Sequence, residues 1–129
     1  MNEHPNAAVI RSAYEAISKA DMAAYTALLD DDIIWHESSP GMEGDYHGRD
    51  QVLAFLGQVF QQAGMQMSVS SHDIMANDDH AVILHESTLT MGDRTRTGQY
   101  ADVYHLRNGK ITEHWHLAVN PQADEFLTG

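Results

Sequence analysis

Nine histidines, five tyrosines and two tryptophans stand in a chain of 129 residues. Such side chains titrate near neutral pH or wall apolar pockets. Several cluster late in the chain, from Asp102-Val103-Tyr104-His105 to His114-Trp115-His116. Asn108-Gly109 separates two alternating runs there, a strong hairpin signal because both residues tolerate positive φ. Counting outward from the turn, Arg107 faces Lys110, Leu106 pairs with Ile111, Tyr104 with Glu113 and Asp102 with Trp115 on one face. His105 with Thr112, and Val103 with His114, then fall on the other face together with His116. The first face carries the large apolar groups and should meet the helices. A carboxylate set among aromatic rings has its ionised form disfavoured by desolvation, so the pKa of Asp102 should rise toward the range where a general acid or base works.

Two further pairs could join that chemistry. Asn77-Asp78-Asp79-His80 reads as a turn, and pairing Ala76 with Ala81 puts Ile74 opposite Ile83 and His72 opposite His85. A slip by one residue would undo that imidazole pair. In the run Ile33 to Glu37, Trp35 and Glu37 share one face and Ile34 and His36 the other; Trp35 and Glu37 are expected inside. If Glu37 joins Asp102 in an apolar site, one of the two carboxyl groups should stay protonated, making an acid and a base from like residues. His105, His114 and His116, on the outer face, suit a polar interface between two copies of the chain. They could hold zinc only with a fourth ligand from the second copy, and no metal site is expected. His4, His47 and His80 fall in tail or turn positions.

The elements that must hold these groups follow from hydrophobic spacing. Asn6 can cap a helix in which Ile10, Ala13, Tyr14 and Ile17 form one apolar stripe to about Ala20. Asp21 caps a second helix from Met22 to Leu29, closed by Asp30, Asp31 and Asp32 as a solvated turn. A strand from Ile33 to Glu37 leads into a loop from Ser38 to Gly48, rich in Pro and Gly. Asp50 caps a third helix that buries Leu53, Phe55, Leu56, Val59 and Phe60 and ends at Gly64. Four strands follow, at about 65–76, 81–90, 96–107 and 110–120. The order α-α-β-α-β-β-β-β is that of an α+β fold.

Composition bounds the function. One domain over residues 1–129, with its core at about 8–119, is the expectation for a chain of this length. No cysteine is present, which excludes disulfides, thiolate metal sites and a cysteine nucleophile. The net charge of -12 repels phosphate backbones and anionic lipid, so neither a nucleic-acid nor a membrane partner is expected. No apolar run reaches the roughly 20 residues of a membrane span, and Met1 to Ala8 lacks the form of a signal peptide; the expectation is a cytoplasmic protein. The chain shows no phosphate-binding Gly-rich loop and no nucleophile elbow.

Three segments carry a resemblance: Trp35-His36 with Gly44-Asp45-Tyr46-His47-Gly48-Arg49-Asp50, then His72 to His80, then DVYHLRNGKITEHW from Asp102 to Trp115. Together they resemble the SnoaL-like polyketide cyclase family, in the superfamily of nuclear transport factor two, ketosteroid isomerase and limonene epoxide hydrolase. The resemblance runs from about Ala8 to Val119. It implies a cystatin-like α+β barrel, a cone made by a strongly curved antiparallel sheet wrapped around about three N-terminal helices. It further implies an apolar pocket and a homodimer through the opposite sheet face. By position, Asp102 matches the acid/base Asp of such cyclases, which agrees with the register argument.

By analogy with ketosteroid isomerase, Asp102 would move a proton α to a carbonyl while Tyr104, His85 or His72 donates to the developing oxyanion. Trp35, Glu37, His72, Trp115 and Phe55 would contact a small apolar or carbonyl-containing substrate, with no cofactor. In the epoxide hydrolase branch a Tyr and an Asn hold the attacking water where this chain has Trp35 and Glu37. A hydrolase or dehydratase using water held by Glu37 and a histidine, and a noncatalytic binding or dimerisation module, are the alternatives, since the fold hosts all three.

Overall fold

The computed structural model describes residues 3–38, 43–61 and 66–119. Helix α1, Pro5–Ser18, begins with a proline where the absent N–H would have had no partner. Its cap is His4 rather than Asn6: His4 Nδ1 accepts from the Asn6 amide at 3.1 Å. Asn6 instead donates its side-chain amide to the carbonyls of Asn77 and Asp78, at 2.9 and 3.0 Å. That ties α1 to a distant turn. Ile10, Ala13 and Ile17 are buried, as the stripe predicts. Helix α2, Met22–Thr26, is capped by Asp21, which accepts from the Ala24 amide, but it stops before Leu29 because the next strand has begun.

Strand β1, Leu29–Glu37, takes in the three aspartates expected as a turn. Asp31 and Asp32 are exposed, while Leu29, Ile33, Trp35 and Glu37 are buried. Inside the expected loop lies a short strand β2, Gly44–His47, paired antiparallel with β1. Gly48 turns the chain from β2 into helix α3, Arg49–Gln61, at φ +86, where a side chain would be strained. Its N–H donates to Ile33 and its carbonyl accepts from Val52, so one residue joins strand and helix. Asp50 therefore sits in the first turn and not at the cap. The predicted helix end at Gly64 lies outside the described residues.

Strands β3 (Gln66–Ala76), β4 (His80–Met91), β5 (Arg94–Arg107) and β6 (Lys110–Ala118) complete a six-stranded sheet ordered β2-β1-β6-β5-β4-β3. The α+β class is as expected, but the closed form is not. The sheet is open and not strongly curved, with β2 and β3 as its edges, unpaired with each other among the described residues. A barrel requires its first and last strands to hydrogen-bond, and here they stand at opposite ends of the order. Nor is the sheet wholly antiparallel, since β1 runs parallel to β6. The expected cone, or cystatin-like barrel, is thus corrected to an open mixed sheet.

The helices lie toward opposite ends of this sheet: α1 against β3 and β4, α3 against β1 and β2. Between helices and sheet, Ile10, Leu29, Ile33, Val52, Ile83 and Ile111 are almost completely buried and form the core. Burying each such side chain stabilises the fold by about 1.5–3 kcal/mol. Into that apolar layer the sheet also sends Asp102, 2% exposed. Among the described residues, no helix is long and apolar enough to cross a membrane.

Candidate active site

The hairpin turn forms as the Asn-Gly signal predicts, with positive φ at Asn108 and Gly109 and the pairs Arg107 with Lys110 and Leu106 with Ile111. One step further the register shifts. Beyond it His105 pairs with Glu113, Tyr104 with His114, Val103 with Trp115 and Asp102 with His116. Thr112 is the extra residue, and its hydroxyl donates to the His105 carbonyl at 3.2 Å. A bulge of one residue exchanges the two faces of everything after it.

Four expectations change as a result. His114 and His116, expected outside at a dimer face, stand on the same face as Asp102. Trp115, expected beside Asp102 as a pocket residue, lies outside, stacked on His36 with ring centroids 4.9 Å apart and edge-on to His105 at 4.9 Å. A zinc set of His105, His114 and His116 is split between faces, and an outer interface built on all three histidines is excluded because His114 is only 3% exposed.

Around Asp102 both oxygens are engaged, and His116 Nδ1 lies near each, 3.0 Å from Oδ1 and 3.1 Å from Oδ2. Oδ2 accepts from the Tyr14 hydroxyl at 2.8 Å and from His114 Nε2 at 2.8 Å. Oδ1 faces His116 Nδ1 at 3.0 Å and His85 Nε2 at 3.3 Å. The Tyr14 hydroxyl lies 2.5 Å from that of Tyr104. Since Tyr14 spends its one proton on Asp102, Tyr104 must donate to Tyr14, a relay from Tyr104 through Tyr14 to the carboxylate. Tyr100 lies between two of the imidazoles, stacked on His85 at 5.3 Å and on His116 at 4.6 Å.

This environment reverses the expected electrostatics of Asp102. Burial pushes its pKa up, but the attraction of His116 when that ring is charged and the hydrogen bonds from His114 and His116, with His85 close by, hold it well below the usual carboxylate range. The sequence argument counted desolvation alone, because it placed the histidines on the other face. Burial lowers the pKa of His114, against the pull of Asp102, so this ring donates from Nε2 as a neutral imidazole. Tyr14 is raised well above its ordinary value by burial and by the Asp102 charge, and Tyr104 likewise, so both phenols keep their protons.

Of the remaining predicted residues, Trp35 and Glu37 are buried, and Trp35 Nε1 donates to Glu37 Oε1 at 3.1 Å. Trp35 also packs on His114, with centroids 4.1 Å apart, and on Phe55 at 5.8 Å. Glu37 is the strand partner of His116, so the second carboxylate borders the cluster. Phe55 belongs to the core between Trp35 and Tyr46. His72 is not part of the site: Ala76 pairs with Ala81 and Ile74 with Ile83 as expected, but the register then shifts between Asp73 and Ser71, and Ser71 takes the place opposite His85. His72 is exposed.

Tyr14, Tyr100, His114 and His116 were not anticipated as site residues. Their one legible signal is the matched i, i+2 spacing of Tyr100, Asp102 and Tyr104 against His114 and His116. A cleft of about 190 Å³ opens between α1 and the β3–β4 edge, with Tyr14 and Ile83 in its wall beside Arg11 and Lys19. Among the described residues, His85, Asp102 and His116 bring ligand-type atoms within 4.8 Å of one another.

An α+β chain with a buried Asp ringed by histidines and tyrosines under a helical layer is what this fold and site define. The model of the SnoaL-like domain matches residues 10–114, and the chain belongs to that family. Among solved structures, an NTF2-like protein of unknown function from Burkholderia pseudomallei is 23% identical, covering 98% of this chain and 100% of its own, with a TM-score of 0.86. TerC, co-crystallised with polyporic acid, is 19% identical over 98% and 100% of the two chains, with a TM-score of 0.85. An LEH-like epoxide hydrolase of M. tuberculosis is 18% identical over 96% and 90%, with a TM-score of 0.78. These likenesses show a shared fold. No curated protein matches the sequence.

Proposed function

We propose that the chain is a small-molecule enzyme that moves a proton α to a carbonyl, in an aldol-type cyclisation or an isomerisation, with no added cofactor. The observation that carries this reading is the contact between His116 Nδ1 and Asp102 Oδ1, at 3.0 Å. Asp102 is fixed through its other oxygen by Tyr14 and His114, so it can orient His116 without moving. With Nδ1–H donated to the carboxylate, Nε2 across the ring is the basic atom. It takes the α-proton, and the buried carboxylate stabilises the imidazolium that results.

His116 is thereby the proton carrier and Asp102 its anchor, while Tyr104 acts one step back through Tyr14. His116 is also the most exposed of the three histidines around Asp102, its side chain 21% accessible against 3% for His85 and 4% for His114. That a protein of like fold was co-crystallised with polyporic acid supports a small organic ligand. The test is exchange of α-hydrogens for deuterium in a panel of small apolar ketones and β-diketones, followed by proton NMR in D₂O. The wild type should accelerate exchange, and Asp102→Asn and His116→Gln should each lower the rate by about 10²-fold or more while remaining folded. An Asn variant that exchanges at the wild-type rate would sink the reading.

One observation favours a second reading in the same place. Glu37 is 8% exposed and is the strand partner of His116, so a water between them would meet two groups able to take its proton. A hydrolase or dehydratase of that kind would incorporate or release solvent oxygen, which mass spectrometry in ¹⁸O water detects. The LEH-like relative in fold makes an epoxide the natural first compound to assay.

A further inference from the structure

We infer that His85 Nε2, Asp102 Oδ1 and His116 Nδ1 form a binding site for a first-row divalent transition-metal ion of the zinc type. The argument begins with His85, whose side chain is 3% exposed. Its Nδ1 lies 2.9 Å from the Ser87 hydroxyl, but its Nε2 has no hydrogen-bond partner although it lies 3.3 Å from Asp102 Oδ1. If Ser87 accepts from Nδ1, the Nε2 lone pair lies close to a carboxylate oxygen, two acceptors with nothing between them. If Ser87 donates instead, the Nε2 hydrogen misses the direction a hydrogen bond requires. Either tautomer leaves a buried polar atom unsatisfied, at a cost of about 1–3 kcal/mol. A cation between Nε2 and Oδ1 satisfies both.

The spacing and the surroundings fit such an ion. Four ligands placed tetrahedrally at zinc bond lengths of 2.0–2.2 Å stand roughly 3.4 Å apart. His85 Nε2 and His116 Nδ1 lie 3.3 and 3.0 Å from Asp102 Oδ1. The gap between the imidazoles is at most 4.8 Å, so it closes by up to about 1.4 Å to reach that spacing. Two imidazoles and one carboxylate select zinc, cobalt or iron(II) over calcium and magnesium, which prefer all-oxygen sites. Three protein ligands leave a position open for a small molecule. An outer layer is in place as well: Ser87 orients His85, and Tyr14 and His114 hold Oδ2 so that Oδ1 is presented.

Metal binding would put the ion where the His116 proton sits, releasing that proton. The ion is therefore a competitor of the proton transfer proposed above, and the inference does not depend on that reading. Direct binding tests it without any turnover. Wild-type protein stripped with a chelator is titrated with zinc by calorimetry and with cobalt(II) by visible absorption, beside His85→Gln, His116→Gln and the surface control His36→Gln. The expected result is one equivalent bound by the wild type, with cobalt absorption bands of a low-coordinate site, affinity at least tenfold weaker in both site variants, and no change in the control. If His85→Gln fails to fold by circular dichroism, His116→Gln, at a partly exposed position, decides alone. Absence of binding by the wild type, wild-type affinity in either folded site variant, or loss of affinity in the control would overturn it.

Discussion

His116 and Asp102 face each other directly across β6 and β5, with Nδ1 and Oδ1 3.0 Å apart, and they do so because Thr112 stands unpaired between them and the turn. Were Thr112 paired with His105 instead, the regular ladder would bring Trp115 opposite Asp102, a ring that offers one donor and no proton acceptor. The bulge thus decides whether the buried carboxylate meets imidazoles or an indole. It turns a hydrogen-bonded structural Asp into the anchor of a cluster able to carry protons.

The bulge residue itself should be dispensable to this pairing. Deleting Thr112 leaves Ile111 opposite Leu106 and brings Glu113 next in line opposite His105, so Asp102 still meets His116 and keeps its donors. What the deletion loses is the Thr112 hydroxyl bond to the His105 carbonyl, worth about 1 kcal/mol, and Thr112→Val loses the same bond. Urea denaturation should therefore place the two variants within about 1 kcal/mol of each other; a deletion variant weaker than Thr112→Val by about 3–5 kcal/mol, the cost of breaking a buried charged contact, would show that the register does not survive the loss of this residue.

Tyr14 and Tyr104 should differ in importance although their hydroxyls touch. Tyr14→Phe removes a bond to an ionised, buried acceptor, for which about 1.5–3 kcal/mol is typical. Tyr104→Phe removes a bond between neutral phenols and should cost about 1 kcal/mol. The double variant should fall short of the sum, because Tyr104 reaches Asp102 only through Tyr14. Chemical denaturation of the three variants measures this, and strict additivity would contradict the relay.

The outer face gives a pH dependence of its own. His36 is bonded by Asp45 through Nδ1 at 2.7 Å and by Glu113 through Nε2 at 2.6 Å. Partial burial opposes its protonation, but the hydrogen bonds to Glu113 and Asp45 and their charges outweigh this and raise its pKa above 6.5. A raised folded-state pKa stabilises the fold fully below about 6.5, and the contribution is lost as pH rises through the folded value. The difference in unfolding free energy between the wild type and His36→Gln should thus be largest in mild acid and shrink at alkaline pH. A difference that grows with pH would contradict the assignment.

How much of this was legible in the sequence depended on how local the cause was. The turn at Asn108-Gly109 was readable because two adjacent residues with positive φ suffice to make it. The bulge three positions on was not, because Thr112 has no property that distinguishes an unpaired strand residue from a paired one, and leaving it unpaired put Trp115, His114 and His116 each on the face opposite to the one expected. The same limit applies at His72, where a second register shift undid a pairing that was correct as far as Ile74. Tyr14 was read as part of an apolar stripe, which it is, but helical spacing says nothing of where a hydroxyl ends. The parallel pairing of β1 with β6 joins segments some eighty residues apart in sequence, beyond the reach of any turn rule.

Glu37 provides the variant that separates the two chemical readings. Its carboxylate accepts from Trp35 Nε1 at 3.1 Å, and Trp35 in turn packs on His114, so Glu37 is held in place by the site's own wall. Glu37→Gln keeps the shape and an acceptor for the indole but removes the ability to take a proton. If the enzyme transfers an α-proton through His116, this variant should retain exchange within about tenfold, because Asp102 and not Glu37 orients that ring. If Glu37 activates water, the variant should lose about 10²-fold or more of any ¹⁸O incorporation while α-exchange is untouched. Trp35→Phe serves as the companion: it leaves the carboxylate charged but without its indole donor. In the hydrolytic case it should slow turnover by less than Glu37→Gln does, and equal losses from the two would mean that Glu37 acts by position alone.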